Sequence, residues 1–158
     1  MWYWLARLAG DIQRLSASKN LAADNRSNAN PINGIRKMPP QITIKKNYIL
    51  IEPKAGIDLR DIQQGVARLF YVKEIPEQNR IWLFREGPQN LSHDDLSKLK
   101  DFIKQNYPKD SRINKTALVV ESGVQSDLAE AFAKIAEDLP QAFKVFHSLA
   151  DAEEWVNQ

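Results

Sequence analysis

The run Ile81-Trp82-Leu83-Phe84, followed by Arg85, Glu86, Gly87 and Pro88, decides how this chain folds. Four large apolar residues in succession leave neither side of a strand to water, so the run predicts a strand covered on both faces. Gly87-Pro88 ends it. Ser92 then offers a helix N-cap with Asp95 in the first turn, and Leu96, Leu99, Phe102, Ile103 and Tyr107 recur at helical spacing until Pro108. The strand-then-helix pattern returns twice downstream. Thr116-Ala117-Leu118-Val119-Val120 is a second buried strand, broken by Gly123 and followed by a helix over 126–138 with Leu128, Ala131, Phe132 and Ile135 on its apolar stripe. Phe143-Lys144-Val145-Phe146 is a further strand, followed by a Ser148-capped helix through Leu149, Ala152, Trp155 and Val156.

Working upstream, Ile42-Thr43-Ile44 and Tyr48-Ile49-Leu50-Ile51 are rich in β-branched and aromatic residues and are separated by Lys45-Lys46-Asn47. They predict a hairpin or one bent strand, ended by Pro53 and Gly56. Asp58 is placed to cap a helix over 59–70 whose stripe is Leu59, Ile62, Val66, Leu69 and Phe70. Strands alternating with helices specify an α/β fold: a small mixed, mostly parallel sheet with packed helices, joined by right-handed crossovers. There is no internal repeat of convincing length.

The chain has 158 residues, 43% hydrophobic and 27% charged, which is ordinary for a globular protein. A domain of this size buries roughly two-thirds of its unfolded surface, so it needs neither disulfide nor metal to fold. It contains no cysteine, which excludes disulfides, thiol nucleophiles and Cys-ligated zinc, and suits a reducing, cytoplasmic setting. The net charge of +2 is unevenly spread. Residues 1–37 hold six basic residues against Asp11 and Asp24, leaving 16 basic and 18 acidic residues for the rest. A slightly acidic main domain argues against a nucleic-acid-binding face. No apolar run approaches the roughly 20 residues a bilayer requires, so the main domain is expected to be soluble.

Residues 1–40 differ in character from the main domain. Trp4, Leu5, Leu8, Ile12 and Leu15 would make one short amphipathic helix, and Trp2, Tyr3 and Trp4 with Arg7 and Arg14 suit a membrane surface. The Gly10-Asp11 break makes such anchorage poor, and a poorly ordered arm is the favoured reading. Residues 16–40 have the Ser, Asn, Asp and Pro content of a linker. The domain boundaries expected are thus 1–40 and 41–158. Met38, just before the patterned sequence, is an alternative initiator to Met1, which would make the upstream segment an artefact of an early start.

Three stretches resemble the STAS family in its SpoIIAA-like (STAS/SEC14-like) branch, over about residues 42–156. They are Ile81-Trp82-Leu83-Phe84-Arg85-Glu86 with Leu91-Ser92-His93-Asp94-Asp95-Leu96, then Lys115-Thr116-Ala117-Leu118-Val119-Val120-Glu121-Ser122, then Val145-Phe146 with Ala152-Glu153-Glu154-Trp155-Val156. The resemblance implies a small mixed sheet carrying helices, and a role in protein–protein regulation or in receiving small apolar molecules and lipids. Two departures stand out. Members often have an Asp where this chain has Leu83, and the Asp-Ser-Ser-Gly-type phosphorylation turn of the anti-sigma-antagonist relatives is missing, which puts partner switching by serine phosphorylation in doubt.

Chemistry-bearing residues are sparse. His93 and His147 are the only histidines, too few for a zinc site, and no metal or cofactor is expected. Neither G-x-G-x-x-G nor a P-loop occurs. Glu121-Ser122-Gly123 precedes a helix start that would suit an anion, but a turn requiring glycine explains it better. Ser92, Ser122, Ser126 and Ser148 sit where N-caps sit, and no Ser/His/acid set assembles. The adjacent carboxylates Asp94-Asp95 and Glu153-Glu154 do not face one another on a helix.

Arg85 and Glu86 follow a buried strand at its carboxyl end, where open α/β sheets place ligands, so Arg85 is a candidate to hold a carboxylate or phosphate. Phe70, Trp82 and Phe132 would line an apolar pocket if the helices 59–70 and 126–138 stand slightly apart. The leading expectation is therefore a non-catalytic binding or regulatory module for an apolar small molecule or a protein partner. The alternatives are a small hydrolase or transferase using Arg85, Glu86 and Ser122 in a strand-end cleft, and a peripheral membrane protein using residues 1–15.

Overall fold

The computed structural model describes residues 39–54, 56–85, 91–108, 114–121 and 123–158, all within the compact unit Arg36–Gln158. The helix expected over 1–15, most of the expected linker, Glu86 and Ser122 lie outside the described residues. In chain order the elements are β1 (Gln41–Ile44), β2 (Tyr48–Glu52), α1 (Leu59–Tyr71), β3 (Asn79–Phe84), α2 (His93–Asn106), β4 (Lys115–Val120), α3 (Val124–Ile135), β5 (Ala142–Phe146) and α4 (Leu149–Asn157). The five described strands form one sheet in sequential order, antiparallel between β1 and β2 and parallel from β2 to β5. The expected α/β class, a mixed and mostly parallel sheet with packed helices, is what the chain adopts.

The opening strands form a hairpin, not one bent strand. Ile44 pairs with Ile49, and Lys45 N–H donates to the Tyr48 carbonyl at 2.9 Å, leaving Lys46 and Asn47 at the tip. Two helices begin with reciprocal caps. The Asp58 carboxylate accepts from Asp61 N–H at 3.0 Å while Asp58 N–H donates to the Asp61 carboxylate, and Ser92 and Asp95 repeat the arrangement on α2. The Ser92 hydroxyl and backbone N–H also hold the Asp95 carboxyl below the usual range. Ser148 occupies the N-cap position of α4, but its side chain makes no capping bond; its carbonyl accepts from Ala152 N–H at 3.2 Å.

Right-handed crossovers between sequential parallel strands must all fall on one side of a sheet. Accordingly α1, α2 and α3 share one face, with α2 packed between its neighbours, and α4 covers the other. Period-two alternation divides the strand residues between the layers. Ile49, Ile51, Trp82, Phe84, Leu118 and Val120 face the three helices. Tyr48, Leu50, Ile81, Leu83, Ala117 and Val119 face α4, where Ala152 and Val156 are buried. Both faces are therefore covered, which is why the central strands read as unbroken apolar runs.

Three boundaries differ from the sequence expectation by two residues or more. β3 begins at Asn79, before the apolar run, because Asn79 and Arg80 pair with Tyr48 and Ile49. Helix α3 begins at Val124, not 126: Gly123, with φ of +81°, turns its carbonyl to Ser126 and Asp127 N–H. That backbone angle strains any residue but glycine. The same helix ends at Ile135, because residues 136–139 close a turn in which Leu139 N–H donates to the Ala136 carbonyl at 3.0 Å. Asp138 in that turn is drawn to Lys100 and Lys104 of α2, which hold its carboxyl below the usual range. Pro40 also departs from its linker assignment. It is buried, with its ring beside Gly65 of α1, where a missing side chain leaves room.

Candidate functional site

The rows of side chains that cross the sheet beneath α1–α3 do not fill the space under α2. A cavity of about 70 Å³ remains. Its floor is Trp82 and Phe84 of β3, Thr116, Leu118 and Val120 of β4, and Phe143 of β5. Ile62 and Val66 of α1, Leu96, Leu99 and Ile103 of α2, and Phe132 of α3 wall it above. Leu91, Leu128 and Ala129 also line it and, with Phe143 of the floor, are only half-buried, so the cavity opens past these four residues. None of the lining side chains titrates. Thr116 alone among them brings a hydroxyl, and that group donates to Gln141 Oε1 at 3.2 Å.

The aromatic side chains set the shape. Trp82 stacks along Phe84 with ring centroids 6.1 Å apart, and Phe132 meets Phe143 edge-on at 5.2 Å. Trp82 can pack this close to α1 only because residue 65 is glycine: a Cβ there would stand 2.9 Å from Trp82 Cη2 and 3.2 Å from Pro40 Cγ. Glycine inside a helix costs roughly 1 kcal/mol relative to alanine. Here that cost makes room for the indole.

Of the residues singled out in the sequence, Trp82 and Phe132 come together at this cavity. Phe70 is not among the lining residues. Its ring meets Tyr107 edge-on at 5.3 Å and lies beneath the Arg80 guanidinium, 5.4 Å from the ring centroid to Cζ. The expected gap between the helices 59–70 and 126–138 is occupied by α2, so the cavity sits beneath α2 instead of between those two helices. Arg85 lies at the surface and pairs with Glu52 of β2 at 3.3 Å. Because the strand order runs sequentially from β2 to β5, these strand ends carry no reversal of order to open a ligand crevice beside it. Glu86 and Ser122 lie outside the described residues.

His93 opens α2 at the surface, and His147 Nδ1 lies 3.2 Å from the Val120 carbonyl. Among the described residues no group of three or more His, Asp or Glu side chains converges as a metal site would require. Among the described residues, too, no helix is long and apolar enough to cross a membrane.

Arg80 does not line the cavity, but it pairs in the sheet with Thr116, which does, and no sequence motif points to it. It directly precedes the apolar run and is two residues from Trp82, so strand alternation places it on the cavity face; it is only 4% exposed. Gly65, a lone glycine within a helical stripe, is the other available signal, since such a residue marks close packing against its helix. Family models, curated proteins and solved structures were each compared with the chain, and none matches.

Proposed function

We propose that this domain is a non-catalytic binding module of the STAS-like kind, whose ligand is a small apolar molecule held in the cavity beneath α2. The observation that carries the reading is the cavity itself, walled by carbon on the sheet and on three helices. Its lack of titratable walls supports binding over acid–base or nucleophilic chemistry. The sequential, mostly parallel sheet with helices on it supports the family resemblance. Of the two occupants the sequence leaves open, the cavity supports the small molecule over the protein partner. A cysteine-free chain in a reducing cytoplasm fits the same reading.

Size narrows the ligand. An apolar cavity of about 150 Å³ holds a benzene molecule, so a space of about 70 Å³ takes a group of roughly half that bulk, such as a short aliphatic chain. A whole lipid tail would require the helices to part. An enclosed apolar cavity costs roughly 24 cal/mol per Å³, which sets an upper bound of about 1.7 kcal/mol for this partly open one, and an occupant of the right shape recovers part of it.

Native mass spectrometry of the protein purified from its own cells tests the proposal. The expected result is added mass from a small apolar molecule, absent when Ala129→Leu is purified in parallel. Bare wild-type protein that also takes up no xenon would remove the reading.

A further inference from the structure

A charged side chain is buried next to Thr116 of the cavity floor, though it does not itself line the cavity. Arg80 is the second residue of β3 and shares its face with Trp82 and Phe84, yet it is only 4% exposed. In the sheet it pairs with Thr116, which pairs in turn with Phe143, and both of those line the cavity. Arg80 Nη1 donates to Gln141 Oε1 at 3.3 Å, the same oxygen that accepts from Thr116 Oγ1 at 3.2 Å. Thr116 is thus a shared wall, apolar space on one side and the arginine's hydrogen-bond partner on the other.

The arginine is incompletely satisfied. A guanidinium carries five N–H donors and stays protonated in proteins. Phe70 lies under its plane; burial works against its cation and lowers its pKa, and Tyr107 and then Glu77 are the ionisable groups that work in its favour. Arg80 Nε nevertheless has no acceptor among the described residues. A second such buried donor, Asn114 Nδ2, belongs to a residue 5% exposed that stands two positions before Thr116. A third buried atom without a partner among the described residues, Gln78 Oε1, belongs to an amide whose nitrogen reaches the Lys46 carbonyl at 3.4 Å, on the hairpin side. Buried donors without acceptors are uncommon and call for an explanation.

An acceptor that also carries an alkyl chain would satisfy both halves of this arrangement. We infer that the domain binds a short-chain aliphatic monocarboxylate, with the chain in the cavity beneath α2 and the carboxylate on the Arg80 guanidinium. A carboxylate matches the arginine fork in two parallel bonds, and a charge-assisted pair of this kind outweighs a neutral hydrogen bond. The inference rests on the cavity being a binding site, and it names the ligand's polar end.

The test uses the full chain and three probes followed by NMR titration: xenon, butan-1-ol and butyrate. Xenon reports the cavity alone, and the alcohol and the acid differ only in the polar end. Wild-type protein should bind butyrate roughly ten- to a hundredfold more tightly than butan-1-ol. Butyrate, and not the alcohol, should move the Arg80 Nε–H resonance. In Arg80→Met the preference for the acid should disappear while xenon uptake persists. Should that variant fail to fold, the wild-type Arg80 resonance decides the matter unaided. Xenon uptake with butyrate no tighter than the alcohol would overturn the carboxylate assignment and leave the cavity reading standing. A preference for butyrate that survives Arg80→Met, or leaves the Arg80 resonance unmoved, would overturn the role of Arg80. Failure of xenon to bind would overturn the cavity reading and this inference with it.

Discussion

Replacing Ala129 with leucine probes the cavity from its accessible side. Ala129 lies on α3, lines the cavity and is half-buried, so an added isopropyl group enters empty space. Three buried carbons contribute about 2.4 kcal/mol at about 0.8 kcal/mol each. Ordering the leucine side chain takes back roughly 0.5–1 kcal/mol, and alanine and leucine differ little in helix propensity. The void penalty sets the ceiling at about 1.7 kcal/mol. The expected net gain is therefore about 1 kcal/mol, which raises the melting temperature by about 3–5 °C for a domain of this size. Urea denaturation followed by tryptophan fluorescence measures it, with an unchanged slope against denaturant showing that the unfolded state is not altered. Xenon should stabilise the wild type by mass action and leave the variant unaffected. Destabilisation by about 1 kcal/mol or more would instead mean that the added side chain meets no free space under α2.

Two more outcomes are set by the packing. Gly65→Ala improves helix propensity by roughly 1 kcal/mol, yet its Cβ would stand 2.9 Å from Trp82 Cη2, so urea denaturation should show a net loss of about 1–2 kcal/mol. Tyr48 donates its hydroxyl to Glu153 beneath α4, and burial first, then that bond and the neighbouring carboxylate, push its pKa up to about 12 from 10.0. A raised pKa favours the protonated form in the folded state, so this contribution is complete below pH 10 and is lost as pH rises from 10 to about 12. Two pH units would correspond to about 2–3 kcal/mol, and solvent screening at the part-buried hydroxyl lowers this to about 1 kcal/mol; alkaline denaturation of Tyr48→Phe should lack that slope.

The strands are legible in the sequence because both faces of the central sheet are covered, which forces continuous apolar runs such as Ile81–Phe84 and Thr116–Val120. Helix starts are legible at Asp58 and Ser92, where side-chain caps leave a local signature. The limits of α3 are less so, because they depend on the Gly123 backbone angle and on the pull of Lys100 and Lys104 on Asp138, partners that sequence spacing does not reveal. At the candidate site, Trp82 and Phe132 stand out as large aromatics on inward stripes. The cavity's position depends on α2 lying between α1 and α3, a consequence of crossover handedness and strand order together. Arg80 is hidden for a related reason. A basic residue at the margin of an apolar run resembles an exposed strand end until β2 and β4 are seen to flank it.

The space beneath α2 should accept an apolar occupant. Crystallography of the full chain under xenon pressure tests it most directly. One ordered xenon is expected between Trp82 and Phe132, present in the wild type and absent from Ala129→Leu. Xenon only at surface sites, or none in the wild type, would contradict it.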